Sequence, residues 1–158
     1  MNLSYCGIDF GTSNSALAWM AENEPKLARL EGDNTTLPSA IFFHTEKTGS
    51  SFGRAAICDY LDGYEGRLMK SLKSILGTSL MESSTELSGS AFSLKDILTQ
   101  YIREDKHRAE ASSHKEFKNA VFGRPVYFVD GDEAADKKAA NVLNMVAQAA
   151  GFDNIGFH

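Results

Sequence analysis

The segment Gly7-Ile8-Asp9-Phe10-Gly11-Thr12-Ser13-Asn14-Ser15 constrains this chain more than any other. One apolar run, Leu3 to Phe10, leads into its turn, and a second, Ser15 to Met20, leads out. The pattern predicts a strand, a tight turn and another strand. It differs from the strand–loop–helix order of a P-loop or a dinucleotide fingerprint. Gly11 permits backbone conformations that a bulky residue resists. Backbone N–H groups and hydroxyls in such a turn hold an anion, and a neighbouring carboxylate positions a hydrated divalent cation. The segment is therefore expected to be a phosphate-and-magnesium loop between two strands.

The 158 residues suit one ordinary domain or part of a larger one. With 42% hydrophobic and 23% charged residues, the composition is globular. A net charge of -5 argues against a general nucleic-acid binder, which shows a basic face. It leaves a nucleotide ligand open, because a loop holds phosphates by local backbone dipoles. Cys6 and Cys58 have no metal or redox spacing, and Cys6 is expected in the core. His44, His107, His114 and His158 are scattered, so no zinc pattern is visible. The N-terminus lacks a secretory pattern, and no run is long enough to span a membrane. The expectation is a cytoplasmic protein.

Further along, Glu22 to Pro25 is expected to turn the chain into a third strand, Lys26 to Leu30. Ala40 to His44 predicts another strand. Arg54 to Leu61 has short helical periodicity, and Leu68 to Leu76 is expected to be a helix stopped by Gly77. The serine- and threonine-rich stretch 78–90 suits a loop or a short exposed hairpin. Ser93 is a good N-cap for a helix with Leu94, Ile97, Leu98, Tyr101 and Ile102 on one face. The charged run Arg103 to Glu110 is expected to be its solvated end. A strand follows over Ala120 to Phe128. A helix capped near Asp130-Gly131-Asp132 then ends at Gly151, and a final strand begins at Asn154. This order predicts an α/β or α+β layout with a mixed sheet.

The combination resembles the nucleotide-binding domain of the seventy-kilodalton heat-shock chaperones, the DnaK-type ATPases of the actin-like superfamily. The first block is Gly7 to Ser15, similar to G-I-D-x-G-T-T-N-S. Thr36-Leu37-Pro38-Ser39 resembles T-x-P-S, and Ser71-Leu72-Lys73-Ser74-Ile75-Leu76-Gly77 resembles x-x-K-x-x-x-G. The fourth is Ala120 to Phe128 with Ala149-Ala150-Gly151-Phe152, similar to A-V-I-T-V-P-A-Y-F and A-G-L. The G-R-P-x-x-F variant is similar to a divergent, YegD-type branch. The resemblance implies an actin-like, ribonuclease-H-like α/β fold and the first half of that domain. Residues 1–35 and 115–158 would form the core sheet-and-helix subdomain, and 36–114 an inserted upper one. The family's second phosphate motif and adenosine motif are not among these residues. Weak nucleotide binding and no turnover are therefore expected of this span.

The resemblance also implies roles. Asp9 would orient magnesium-bound waters, and Gly11, Thr12, Ser13 and Asn14 would cradle the phosphates of ATP or ADP. Lys73 would be the catalytic lysine, acting as a point charge on transferred oxygens. It is preferred over Lys70, which is expected to be solvated. Pro125 matches a proline that relays nucleotide state to a partner domain. Ala140 stands where the family carries an arginine for that relay, with Lys137 and Lys138 nearby. The implied partners are nucleotide, and unfolded polypeptide clients or co-chaperones reached through other regions, with no nucleic acid or membrane. Two other functions compete: a small-molecule kinase of the same superfamily, and a non-catalytic interaction module. Exposure of Phe152 or Phe157 is expected if the other half of the domain normally covers them.

Overall fold

The computed structural model describes residues 4–87, 89–124 and 128–158. Pro125, with the role implied for it, lies outside the described residues. The chain forms a mixed α/β structure around one larger sheet. Its centre is β1 (Tyr5–Phe10), antiparallel to β2 (Asn14–Ala21) and parallel to β10 (Asn119–Gly123). The sheet continues from β2 to β3 (Glu24–Leu27) and the short β4 (Leu37–Pro38), and from β10 to the parallel β11 (Asn154–Phe157). The β2–β3 turn is tighter than expected. Glu22 and Asn23 both take positive φ, 51° and 70°, the primed geometry that matches strand twist. Glu24 and Pro25 thereby join the strand, with Pro25 on the sheet's edge.

Alternation in β1 buries Cys6, Ile8 and Phe10 on one face and exposes Tyr5, Gly7 and Asp9 on the other. The buried face meets α2 (Leu94–Ser113) and α3 (Glu133–Ala149). Both helices begin on expected caps: Ser93 Oγ accepts from Asp96 N at 3.1 Å, and Asp132 Oδ1 from Ala135 N at 2.9 Å. α2 contributes Ile97, Tyr101 and Ile102 to the core, and α3 contributes Ala139, Leu143 and Val146. Phe152 is also buried, edge-on to Phe122, so the exposure considered for it does not occur. The other face of the sheet leaves Tyr5, Met20, Leu27 and Val121 exposed.

A smaller sheet orders β6 (Ser50–Phe52), β5 (Ala40–His44) and β7 (Gly66–Lys70). Every residue of β5 is buried. Ile41 and Phe43 join the main core, whereas Ala40 and Phe42 pack under α1 (Arg54–Leu61) with Ala56 and Ile57. β8 (Ser84–Leu87) and β9 (Ser90–Ser93) pair as the hairpin considered for that stretch.

Two expectations are corrected. Leu68 to Leu76 is not one helix. Pairing with β5 draws Gly66–Lys70 into a strand, Ser71 takes a left-handed φ of 55°, and Leu72–Ile75 closes a 3-10 turn. The charged run in α2 is a solvated face only in part: Arg103 and His107 are exposed, but Asp105 and Lys106 are not. The Asp105 side chain is buried beneath the helix, and Lys106 is nearly so, with its ammonium 2.6 Å from Glu110 Oε1.

Candidate functional site

Parallel β1, β10 and β11 place their carboxyl ends along one edge of the sheet. From β1 the chain turns to β2 on one side, and from β10 it crosses through α3 to β11 on the other. The β1/β10 boundary is therefore a topological switch point, where open α/β sheets leave a crevice for ligands. Asp9 stands there at the end of β1, exposed and in register with Gly123 of β10.

The three residues after β1, Gly11 to Ser13, form the turn into β2. Two of its carbonyls, those of Gly11 and Ser13, are engaged from within the fold. Gly11 N donates to Asn14 O at 2.9 Å; Ser39 Oγ donates to Gly11 O at 2.8 Å and Ser39 N to Ser13 O at 2.9 Å. The N–H groups of Thr12 and Ser13 make no hydrogen bond to any described residue. With those two carbonyls committed and the Thr12 and Ser13 N–H groups uncommitted, the turn offers N–H groups of the kind that receive an anion. Gly11 is needed for a reason other than the one expected. Its φ is not left-handed, but a Cβ there would stand 2.3 Å from the Asn14 carbonyl oxygen.

The support beneath the turn comes from α2. The buried Tyr101 hydroxyl lies 2.9 Å from Leu37 O, to which it donates, and 3.0 Å from Ser15 Oγ. Leu37 and Pro38 pair with Ser15 and Asn14, so this contact fixes the strand pair that carries the turn. Burial pushes the Tyr101 phenol up, keeping it a neutral donor.

Lys73 arrives on the 3-10 turn rather than on an α-helix. Burial draws its ammonium below the usual lysine range, and the Asp9 carboxylate partly offsets this. Its Nζ is 5.9 Å from the centre of the Phe128 ring. That ring also meets the Arg124 guanidinium at 5.1 Å, and Arg124 donates to Asp136 Oδ2 at 2.8 Å. Phe128 N donates to Asp136 Oδ1 at 2.6 Å, and this bond, with Arg124, holds the Asp136 carboxyl below the usual carboxylate range.

The structure thus brings together Asp9, Gly11, Thr12, Ser13, Asn14 and Lys73. Sequence reasoning missed the parts that hold them: the Ser39 clamp, Tyr101 and the Arg124–Asp136–Phe128 brace. Ser39 and Phe128 stood inside quoted blocks, but their partners are distant in sequence. Among the described residues no three His, Cys, Asp or Glu side chains converge on a metal-binding geometry. Asp9 alone fits a magnesium ion that keeps most of its waters and binds through one carboxylate plus a phosphate. No described helix is long and apolar enough to cross a membrane. No family model matches the chain.

Proposed function

We propose that this chain is the phosphate-binding part of an actin-like ATPase domain of the heat-shock-chaperone type, acting in the cytoplasm on magnesium-ATP or magnesium-ADP. The observation that carries the reading is the Gly11–Ser13 turn at the switch point, with its Gly11 and Ser13 carbonyls tied back beside Asp9, whose carboxylate acts on the Lys73 ammonium. The strand order supports the fold; Ser39 and Ser71, from two further blocks, border the turn, and Gly123 of the fourth is in register with Asp9.

In this reading the Thr12 and Ser13 N–H groups and hydroxyls receive phosphate oxygens. Asp9 orients the waters of the ion, which when bound neutralises phosphate charge. Lys73, already short of solvent, gives up little hydration when it meets a phosphoryl oxygen and supplies a compact charge there. Phe128 gives that ammonium an aromatic face on one side. Hydrolysis, a chaperone-like conformational change and polypeptide clients belong to the proposal for a protein that carries the family's remaining motifs.

The test is an amide NMR titration with ADP, with and without magnesium, on the wild type and Asp9→Ala. Shifts are expected at Gly11 to Asn14, strengthened by magnesium only in the wild type. Equal magnesium dependence in both proteins, or a response elsewhere, refutes the reading. One observation favours a second reading, an interaction module: the exposed apolar face formed by Tyr5, Met20, Leu27 and Val121.

A further inference from the structure

Beside the turn lies a cleft of about 210 Å³, lined by Thr12, Ser13, Ser39, Ile57, Lys70 and Ser71 together with Pro38 and Ala40. Its lining holds four hydroxyl side chains and one cation, and no carboxylate. It is smaller than the 300–1,000 Å³ typical of pockets that take a whole drug-sized ligand. Its size suits a single tetrahedral oxyanion with water.

The sheet explains why Lys70 is there. Lys70 pairs with Ala40 across β5 and β7, and paired residues project from the same face. That face carries Ala40, Phe42 and Leu68 and is covered by α1 through Ala56 and Ile57. Lys70 stands where this cover ends, so its stem can lie on Ile57 while its ammonium reaches solvent at the turn. The next residue, Ser71, holds a left-handed conformation at φ 55°, ψ 41°, uncommon without glycine. That reversal separates the two lysines. Lys73 goes to Asp9 and Phe128, and Lys70 stays with Thr12 and Ser13.

We infer that this cleft is a second phosphate subsite, one that Asp9 does not line, in which Lys70 and the hydroxyls of Thr12, Ser13 and Ser71 hold a phosphate group. Lys70 is exposed, as the sequence reading expects, and the subsite gives that exposed ammonium a ligand. The inference rests on the reading of the turn as a phosphate holder and adds a site that this reading does not require. Its occupant is a phosphate group, either free inorganic phosphate or the end of a nucleotide's phosphate chain.

The experiment is an amide and lysine-ammonium NMR titration with inorganic phosphate and, separately, with magnesium-ADP. It uses the wild type, Lys70→Ala, Lys70→Arg and Lys73→Ala. Phosphate is expected to shift Thr12, Ser13, Lys70 and Ser71 together. Lys70→Ala should weaken that response about tenfold, as loss of a charge-assisted hydrogen bond does, whereas Lys70→Arg retains it and Lys73→Ala leaves the shifts of Lys70 and Ser71 in place even where those of Thr12 and Ser13 fall. A response of Lys70 and Ser71 to magnesium-ADP alone assigns the site to the nucleotide's chain, and a response to inorganic phosphate assigns it to the free ion; either supports the subsite. Shifts at Thr12 to Asn14 that Lys70→Ala leaves unchanged overturn the subsite and spare the reading of the turn. No shift with either ligand overturns both.

Discussion

Asp105 lies in the middle of α2, with its side chain inside the core. Neither carboxylate oxygen has a hydrogen-bond partner among the described residues. The groups around it give little help. Arg108, one turn on, is engaged with Glu104 at 2.7 Å and Leu30 O at 3.1 Å, and Glu104 adds negative charge. Tyr101 and Cys6 face it from α2 and β1, both kept neutral by burial, the Cys6 thiol pushed up to about 12. Lys106 and Glu110, which also act on Cys6, pair with each other. Burial therefore lifts the Asp105 carboxyl from 3.8 to about 7. The folded protein holds this proton and the unfolded chain releases it near 3.8. The stabilisation is fully present below that value and is lost as pH rises through about 7. Each pH unit between is worth about 1.4 kcal/mol, and the whole span about 4 kcal/mol. Asp105→Asn keeps the shape and needs no proton. Urea unfolding from pH 5 to pH 8 should show wild-type stability falling relative to the variant. The gap between them should widen by about 2.7 kcal/mol from pH 5 to pH 8, nearly all of it below pH 7.5. Parallel curves, or a wild type that gains on the variant as pH rises, would refute a proton-holding Asp105.

Two other substitutions test the turn. Gly11→Ala drives a methyl against the Asn14 carbonyl, so it should destabilise by about 1–3 kcal/mol and broaden the amide signals of Thr12 and Ser13; an unchanged melting curve and spectrum would contradict the steric account. Tyr101→Phe leaves Leu37 O and the buried Ser15 hydroxyl short of a partner and should cost about 1–3 kcal/mol in urea unfolding; a loss below about 0.5 kcal/mol would mean that the hydroxyl does not hold the strand pair.

What the sequence disclosed follows how local each cause is. β1 and β2 show in alternation, and α2 and α3 in helical spacing with their own caps. The turn and the strand ends that flank it are nine contiguous residues, Gly7 to Ser15, so Asp9 and its neighbours stood in view together. Leu68 to Leu76 misled because its apolar spacing also suits a helix, and only the partner strand β5, more than twenty residues earlier, selects otherwise. Asp105 misled because its neighbours in sequence are charged, while its surroundings in space are apolar. Ser39 and Tyr101 act on the turn from 28 and 86 residues away, on Gly11 and Ser15 respectively, and no sequence window spans such distances.

Ser39 sits between β4 of the larger sheet and β5 of the smaller one, and it grips the turn by both its hydroxyl and its amide. It works as a fulcrum. A swing of the smaller sheet would tug on the Gly11 and Ser13 carbonyls and re-aim the N–H groups beside them. Anything that levers that sheet would retune the grip on a ligand without touching the ligand itself.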